Sequence, residues 1–302
     1  MATTPTVNRL QLGSLLRHFR QEAQLTQEQL GERVFPKASP RVRQARIAKT
    51  ESGERILHDA DLAAMLLFCK VTDPQLRALV DQLHTNASKR GRWSGYRAMY
   101  NEQFRKYVDL ETDAAWIREC AQEVVPDLCE TEAHVRALFG LQFEEGLLTG
   151  QEFPAAVQAR LARQEILSTG REDGMPPVNY HVLMSESCVR RVVGNRAIMT
   201  EQLQHLVKMS QMPNVTIQLI PFGASVQGFT LIPYSMLRIP VLGVVGDLDF
   251  VCATIGNSPI YMDDKATVQW HEHNFQVIGA SALRPDDSRA LLREIEREYR
   301  YR

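Results

Sequence analysis

The sequence predicts a mainly α chain, α+β overall: a five-helix head containing a helix-turn-helix, then a helical domain with a small mixed sheet. Three observations carry that reading. Over the first 83 residues, apolar side chains recur at spacings of three and four and are interrupted by helix-cap signals. Between Tyr180 and Met262, short β-branched runs alternate and stop at proline or glycine. Charge is also divided. Residues 1–90 hold 14 Lys or Arg against 9 Asp or Glu, and the remainder holds 21 against 27. A basic head on an acidic body suits a DNA-binding module joined to something else.

In the head, Leu12, Leu15, Leu16 and Phe19 form the first helical stripe. Thr26 caps a second helix, Gln29 can close a capping box, and Leu30 and Val34 face inward. Gln27 takes the first helical position, where free N–H groups and a side chain can meet a phosphate. The third helix starts either at Ser39-Pro40 or after a loop, at Arg43; Ile47 anchors it and Gly53 is placed to stop it. Either start leaves Arg43, Gln44, Arg46 and Lys49 as the exposed candidates. Arginine bonds guanine bidentately and glutamine bonds adenine, so this helix is read as entering a major groove. Asp59 is expected to cap a fourth helix and Asp73-Pro74 to begin a fifth.

The stretches LLRHFRQEAQLTQEQLGERV and RIAKTESGER resemble the phage-repressor-type helix-turn-helix of XRE regulators. The resemblance implies that Gln27 contacts a phosphate, that Arg43, Gln44 and Arg46 begin the recognition helix, and that Glu51 closes the turn. The chain departs from the family at Ala48, Lys49 and Thr50, and by about six extra residues near Phe35–Val42.

His84–Gly95, polar and basic, reads as a linker between a head of residues 1–83 and a body of residues 96–302. Lys89, Arg90 and Arg92 in it could touch phosphates or simply be solvated. A long helix is expected through Tyr96, Tyr100, Phe104, Tyr107, Leu110 and Ala114, followed by Trp116 and Ile117 and ended at Val124-Val125-Pro126; its aromatic stripe is either core or dimer interface. Short helices follow from Thr131 and over Phe153–Leu167. Tyr180–Met184 reads as a strand, and Ser185 caps a helix ending near Gly194. A helix over Met199–Met209 precedes strands at Val215–Ile220, Phe229–Tyr234, Leu242–Val251 and Pro259–Met262. Helices Lys265–Leu283 and Asp286–Tyr299 close the chain.

The ordered marks LETDAAWI, VVPDLCETEAHVRAL, RLARQEIL, ESCVRRVVG, MTEQLQHL, VTIQLIPFG and GFTLIPY make residues 96–295 similar to DUF5753. That domain follows repressor-type heads in actinobacterial regulators of the Scr1 antitoxin-like group. The resemblance implies a neighbouring small DUF397-type protein as partner. Asp127, Cys129, Glu130, His134 and Asp247 stand where the family usually has other residues. Asp127, Glu130, His134 and Asp247 are therefore the candidates for lining a ligand or partner site.

Catalytic signals are sparse. His271 and His273, near Asp263 and Asp264, have a metal-like look, but positions two apart on a helix do not share a face. Asp247 and Asp249 fit one strand face without defining a reaction. Glu130 and His134, one helical turn apart, could form an acid–base pair. Ser187 and Cys188 lack an identifiable base, and neither a P-loop nor GxGxxG occurs. No metal or cofactor is expected. Five scattered cysteines, no apolar run of membrane-spanning length and no signal-peptide pattern predict a cytoplasmic protein with reduced thiols. The expected function is a sequence-specific DNA-binding transcriptional regulator, homodimeric on double-stranded DNA, whose body senses a small molecule or a small partner protein. The alternative is a repurposed biosynthetic enzyme or ligand-binding protein with a vestigial head; a protein-interaction module is a third class.

Overall fold

The structure is a computed structural model that describes residues 3–89, 102–168, 174–225, 233–241, 246–255 and 258–301. The chain divides into two compact units. One comprises residues 2–94 with 240–248, and the other residues 95–239 with 249–302.

The first unit holds five helices: α1 Pro5–Glu22, α2 Gln27–Val34, α3 Pro40–Glu51, α4 Asp59–Phe68 and α5 Pro74–Ala87. The capping box at α2 forms. Gln29 N donates to Thr26 Oγ1 at 3.1 Å, and Thr26 N donates to Gln29 Oε1 at 2.8 Å. Of the two starts open for the third helix, the structure takes the longer, with Ser39 as N-cap and Pro40 in the first turn. It stops at Gly53, whose φ of 73° is strained for a residue with a Cβ. Asp59 does not cap α4. His58 is the N-cap, and Asp59 lies in the first turn, where its charge still complements the helix dipole. Leu15, Leu16, Leu30, Ile47, Met65 and Val80 are the centre of this unit's core. His84–Ala87, read from sequence as linker, continue α5; Arg9 Nε donates to the Ala87 carbonyl at 2.9 Å. Arg90, Arg92, Tyr96 and Tyr100 lie outside the described residues.

The second unit is built on a six-stranded sheet of order β3-β2-β1-β4-β5-β6. Its strands are β1 Trp116–Ala121, β2 Asn179–Ser185, β3 Val215–Ile220, β4 Tyr234–Ile239, β5 Leu248–Ile255 and β6 Ser258–Met262. The first three run parallel, while β4 pairs antiparallel with β1 and β6 with β5. The parallel crossovers carry α7 Glu132–Glu144 and α8 Glu152–Arg163, then α9 Glu186–Arg190 and α10 Arg196–Met209. Helix α6, Glu102–Asp113, precedes β1, while α11, Lys265–Ser281, and α12, Pro285–Tyr301, end the chain. Phe275 and Ile278 of α11 pack with Cys120, Leu183, Met236 and Val251 on one face of the sheet.

Strand β1 is a correction. Trp116 and Ile117 do not trail a helix; they begin the strand that pairs with both β2 and β4. Its sequence hides the strand because it carries Arg118 and Glu119. Each is satisfied: Arg118 donates to Glu272 at 3.0 Å and stacks 4.6 Å over Trp116, and Tyr180 donates to Glu119 at 2.7 Å. Helix α9 ends at Arg190, short of Gly194. The strand expected over Phe229–Tyr234 lies mostly outside the described residues, and β4 begins at Tyr234. The strand expected from Leu242 begins at Leu248, with residues 242–245 outside the description.

Candidate functional site

The turn between α2 and α3 is set by close approach. A Cβ on Gly31 would stand 3.0 Å from the backbone carbon and Cβ of Arg43, so any larger residue would push α3 away by a few tenths of an ångström. Arg43 then folds back over the extra segment. Its Nε donates to the Phe35 carbonyl at 3.1 Å, its Nη2 to the Pro36 carbonyl, and Glu32 lies 3.8 Å away. Arg46 sets its guanidinium 5.1 Å over the Phe35 ring. Neither side chain is an exposed finger: both residues are half-buried.

The exposed stripe of α3 is instead Arg41, Gln44, Ala45 and Lys49, with half-buried Ala48 between them. These positions follow helical spacing and share one face. The small alanines leave room for close approach, and the polar ends reach outward. Gln44 and Gln27 line one open groove of about 540 Å³ with Gln21, Gln24, Thr26 and Glu28. Among the described residues, the Gln27 and Glu28 amides at the start of α2 have no internal acceptor, as first-turn N–H groups require.

Glu51 locks this arrangement from below. It is 2% exposed. Arg20 donates to its two oxygens at 2.5 and 3.0 Å, and Gln27 Nε2 donates to it at 2.9 Å. The charge-assisted bonds to Glu51 raise the Arg20 pKa. Gln27 is thus held at the head of α2 by the carboxylate that ends α3.

In the body, a 3-10 turn at Asp127–Cys129 follows β1, and α8 supplies two arginines that meet it. Arg163, 2% exposed, donates to both oxygens of Glu111 at 2.9 and 2.8 Å and to Asp127 at 2.7 Å. Its guanidinium lies over the rings of Phe104 and Tyr107. Tyr107 also reaches Ser235, so these two half-buried members of the aromatic stripe pack against their own unit. Arg160 donates to Asp127 and, at 2.8 Å, to Glu130, whose other oxygen stands 3.0 Å from His134 Nδ1. His134 Nε2 is buried without a partner among the described residues. Burial disfavours the Arg163 charge, but Glu111 and Asp127 outweigh it and raise its pKa. Burial would also raise the Asp127 carboxyl; Arg160 and Arg163 win and hold it below the usual carboxylate range. Beside this network, burial pushes Glu119 up to about 7, the bond from Tyr180 only partly opposing it.

A domain of unknown function, DUF5753, matches residues 104–294. The chain belongs to the DUF5753 family. A helix-turn-helix domain, HTH_31, matches residues 11–79 and supports a DNA-binding regulator role for this DUF5753 protein. Comparison with curated proteins and with solved structures gives no match. No helix among the described residues is long and apolar enough to cross a membrane.

Of the candidate residues, the structure brings Gln27 and Gln44 to one groove and leaves Lys49 exposed on the same helix. It brings Asp127, Glu130 and His134 into one network, while Asp247 is exposed in the segment grouped with the first unit. Asp249 bonds Arg238 instead, at 2.6 and 2.9 Å. His271 Nδ1 stands 2.9 Å from the Thr267 carbonyl of its own helix. Ser187 Oγ donates to the Gln122 carbonyl and Cys188 is buried, its pKa raised by that burial. Sequence reasoning left Arg41 out of the exposed stripe; its place one turn before Gln44 and Ala45 is the signal that finds it. Glu111 and Glu119 carried no sequence signal, because their partners lie 52 and 61 residues away.

Proposed function

We propose that this chain is a sequence-specific transcriptional regulator that inserts α3 into a DNA major groove. The exposed Arg41, Gln44 and Lys49 stripe, beside the capped start of α2, carries the reading. Arg41 and Gln44 offer the bidentate chemistry for guanine and adenine. Lys49, Gln27 and the free amides of α2 hold phosphates. Arg43 and Arg46, folded against the α2–α3 turn, stabilise the head rather than reach bases. Two copies read paired half-sites about one helical turn apart, since one head offers one recognition helix.

The body acts as the regulatory input and responds to a small molecule or a small partner protein. Its charge network is the bistable element. The Asp127 side chain is 36% exposed while Glu130 is 1% and His134 0% exposed, so Asp127 is the end an effector can reach. Displacing Asp127 from Arg160 and Arg163 would free the turn after β1.

Footprinting on the chain's own upstream DNA tests the reading, with light scattering of the complex for stoichiometry. A protected site bound by two chains is expected. Absence of protection at low salt there and in neighbouring intergenic DNA contradicts it.

A further inference from the structure

We infer that the tip of the α7–α8 hairpin is a docking surface for a basic amphipathic segment of a partner protein. Helix α7 is buried only at its beginning, where His134 and Val135 lie. Its far end and the following turn leave Leu141, Phe143 and Leu147 59%, 47% and 68% exposed. Phe143 faces Phe153 while Leu141, two positions earlier, lies on another side of α7, so apolar side chains are left in water on more than one side of this tip, which marks a surface that is covered in use.

The tip is preformed. Gly146, at φ 74°, ends α7, with Gly146 N donating to the Phe143 carbonyl at 3.0 Å and Leu147 N to Gln142 at 2.8 Å. That double bond turns Leu147 back towards the helix it follows. The Phe143 and Phe153 rings stand 5.9 Å apart and tie the turn to α8. Thr149 N and Oγ1 donate to Glu152 at 2.9 and 2.7 Å, fixing the start of α8.

Charge selects the occupant. Between Arg136 and Arg160 the chain carries Glu144, Glu145 and Glu152 and no Lys, Arg or His. A partner that covers the leucines and Phe143 must meet carboxylates at the rim, so its own rim is basic. Two copies of this tip facing each other would set glutamates against glutamates with no cation between them. A helix with one leucine-rich face and flanking lysines or arginines satisfies both demands. The inference rests on the partner-protein form of the regulatory reading and not on DNA binding. Its test contains no DNA, so the two can fail separately.

The probes are a short labelled helical peptide of leucine and lysine and its leucine–glutamate counterpart, titrated against the full chain by fluorescence anisotropy. The lysine probe binds, and the glutamate probe does not. Phe143→Ser with Leu147→Ser weakens the lysine probe by about tenfold or more, as loss of apolar anchors does. Glu144→Lys with Glu145→Lys weakens it similarly and admits the glutamate probe. Unchanged thermal melting shows the variants folded; Leu141→Ser alone serves if the double variant melts early. Equal binding by the wild type and the apolar variant overturns the inference, as does failure of the wild type to bind the lysine probe. A wild-type dimer that the apolar variant breaks also overturns it, by making a second copy the occupant.

Discussion

Glu51 is where the head's geometry and its proposed chemistry meet, because one buried carboxylate holds Arg20 and positions Gln27. Glu51→Ala leaves the Arg20 charge unpaired, and urea unfolding should show a loss of about 3 kcal/mol. Arg43→Ala should cost stability while leaving base preference intact, since its guanidinium is spent on the Phe35 and Pro36 carbonyls. The exposure of Gln44 and Lys49 was legible from helical spacing alone. The burial of Arg43 and Arg46 was not, because the segment that receives them has no periodic pattern. Glu119 gives a pH signature. Its folded pKa of about 7 lies above its ordinary 4.5, so the folded state binds the proton more tightly. Stability from this group is therefore full below the ordinary value and falls as pH rises through about 7. Glu119→Gln keeps an acceptor for Tyr180 and removes the titration. Thermal melts should diverge as pH rises from about 4.5 to about 7 and stay apart above it, the variant then being more stable by at most about 3 kcal/mol.

Among the elements, α3 is the one whose variants divide into kinds. Gln44→Ala should cost about 1–3 kcal/mol at its cognate base pair and relax preference there. Lys49→Ala should weaken all sequences alike and lower the salt slope by about 1. Binding curves on site variants at several salt concentrations separate these outcomes. The helices of the head were legible because their caps and stripes agree: Thr26 with Gln29, Leu30 with Val34. Strand β1 was not, since an internal strand bearing Arg118 and Glu119 reads as a helix end until its partners are seen. The network after β1 had the same difficulty. Glu130 and His134 advertised themselves by spacing, but Arg163 met Glu111 only through the fold. Arg163→Met should destabilise the body by about 3–5 kcal/mol, read by chemical denaturation, because the buried Glu111 loses its cation while Arg160 is left to pair Asp127 alone.

The whole molecule joins a helix-turn-helix head to a DUF5753 body, and the uneven charge along the chain gives each part a different electrostatic character. Regulation requires that whatever binds the body distinguish DNA-bound from free protein, and that DNA alter its affinity reciprocally. Everything in that scheme depends on α3 reading bases. The most direct measurement is a base-substitution scan of the footprinted site with wild type, Gln44→Ala and Arg43→Ala. Gln44→Ala is expected to lose discrimination at one base-pair position per half-site, while Arg43→Ala keeps the wild-type pattern at its reduced stability. A wild type indifferent to every substitution, or a pattern that changes with Arg43 and not with Gln44, would contradict base reading by α3.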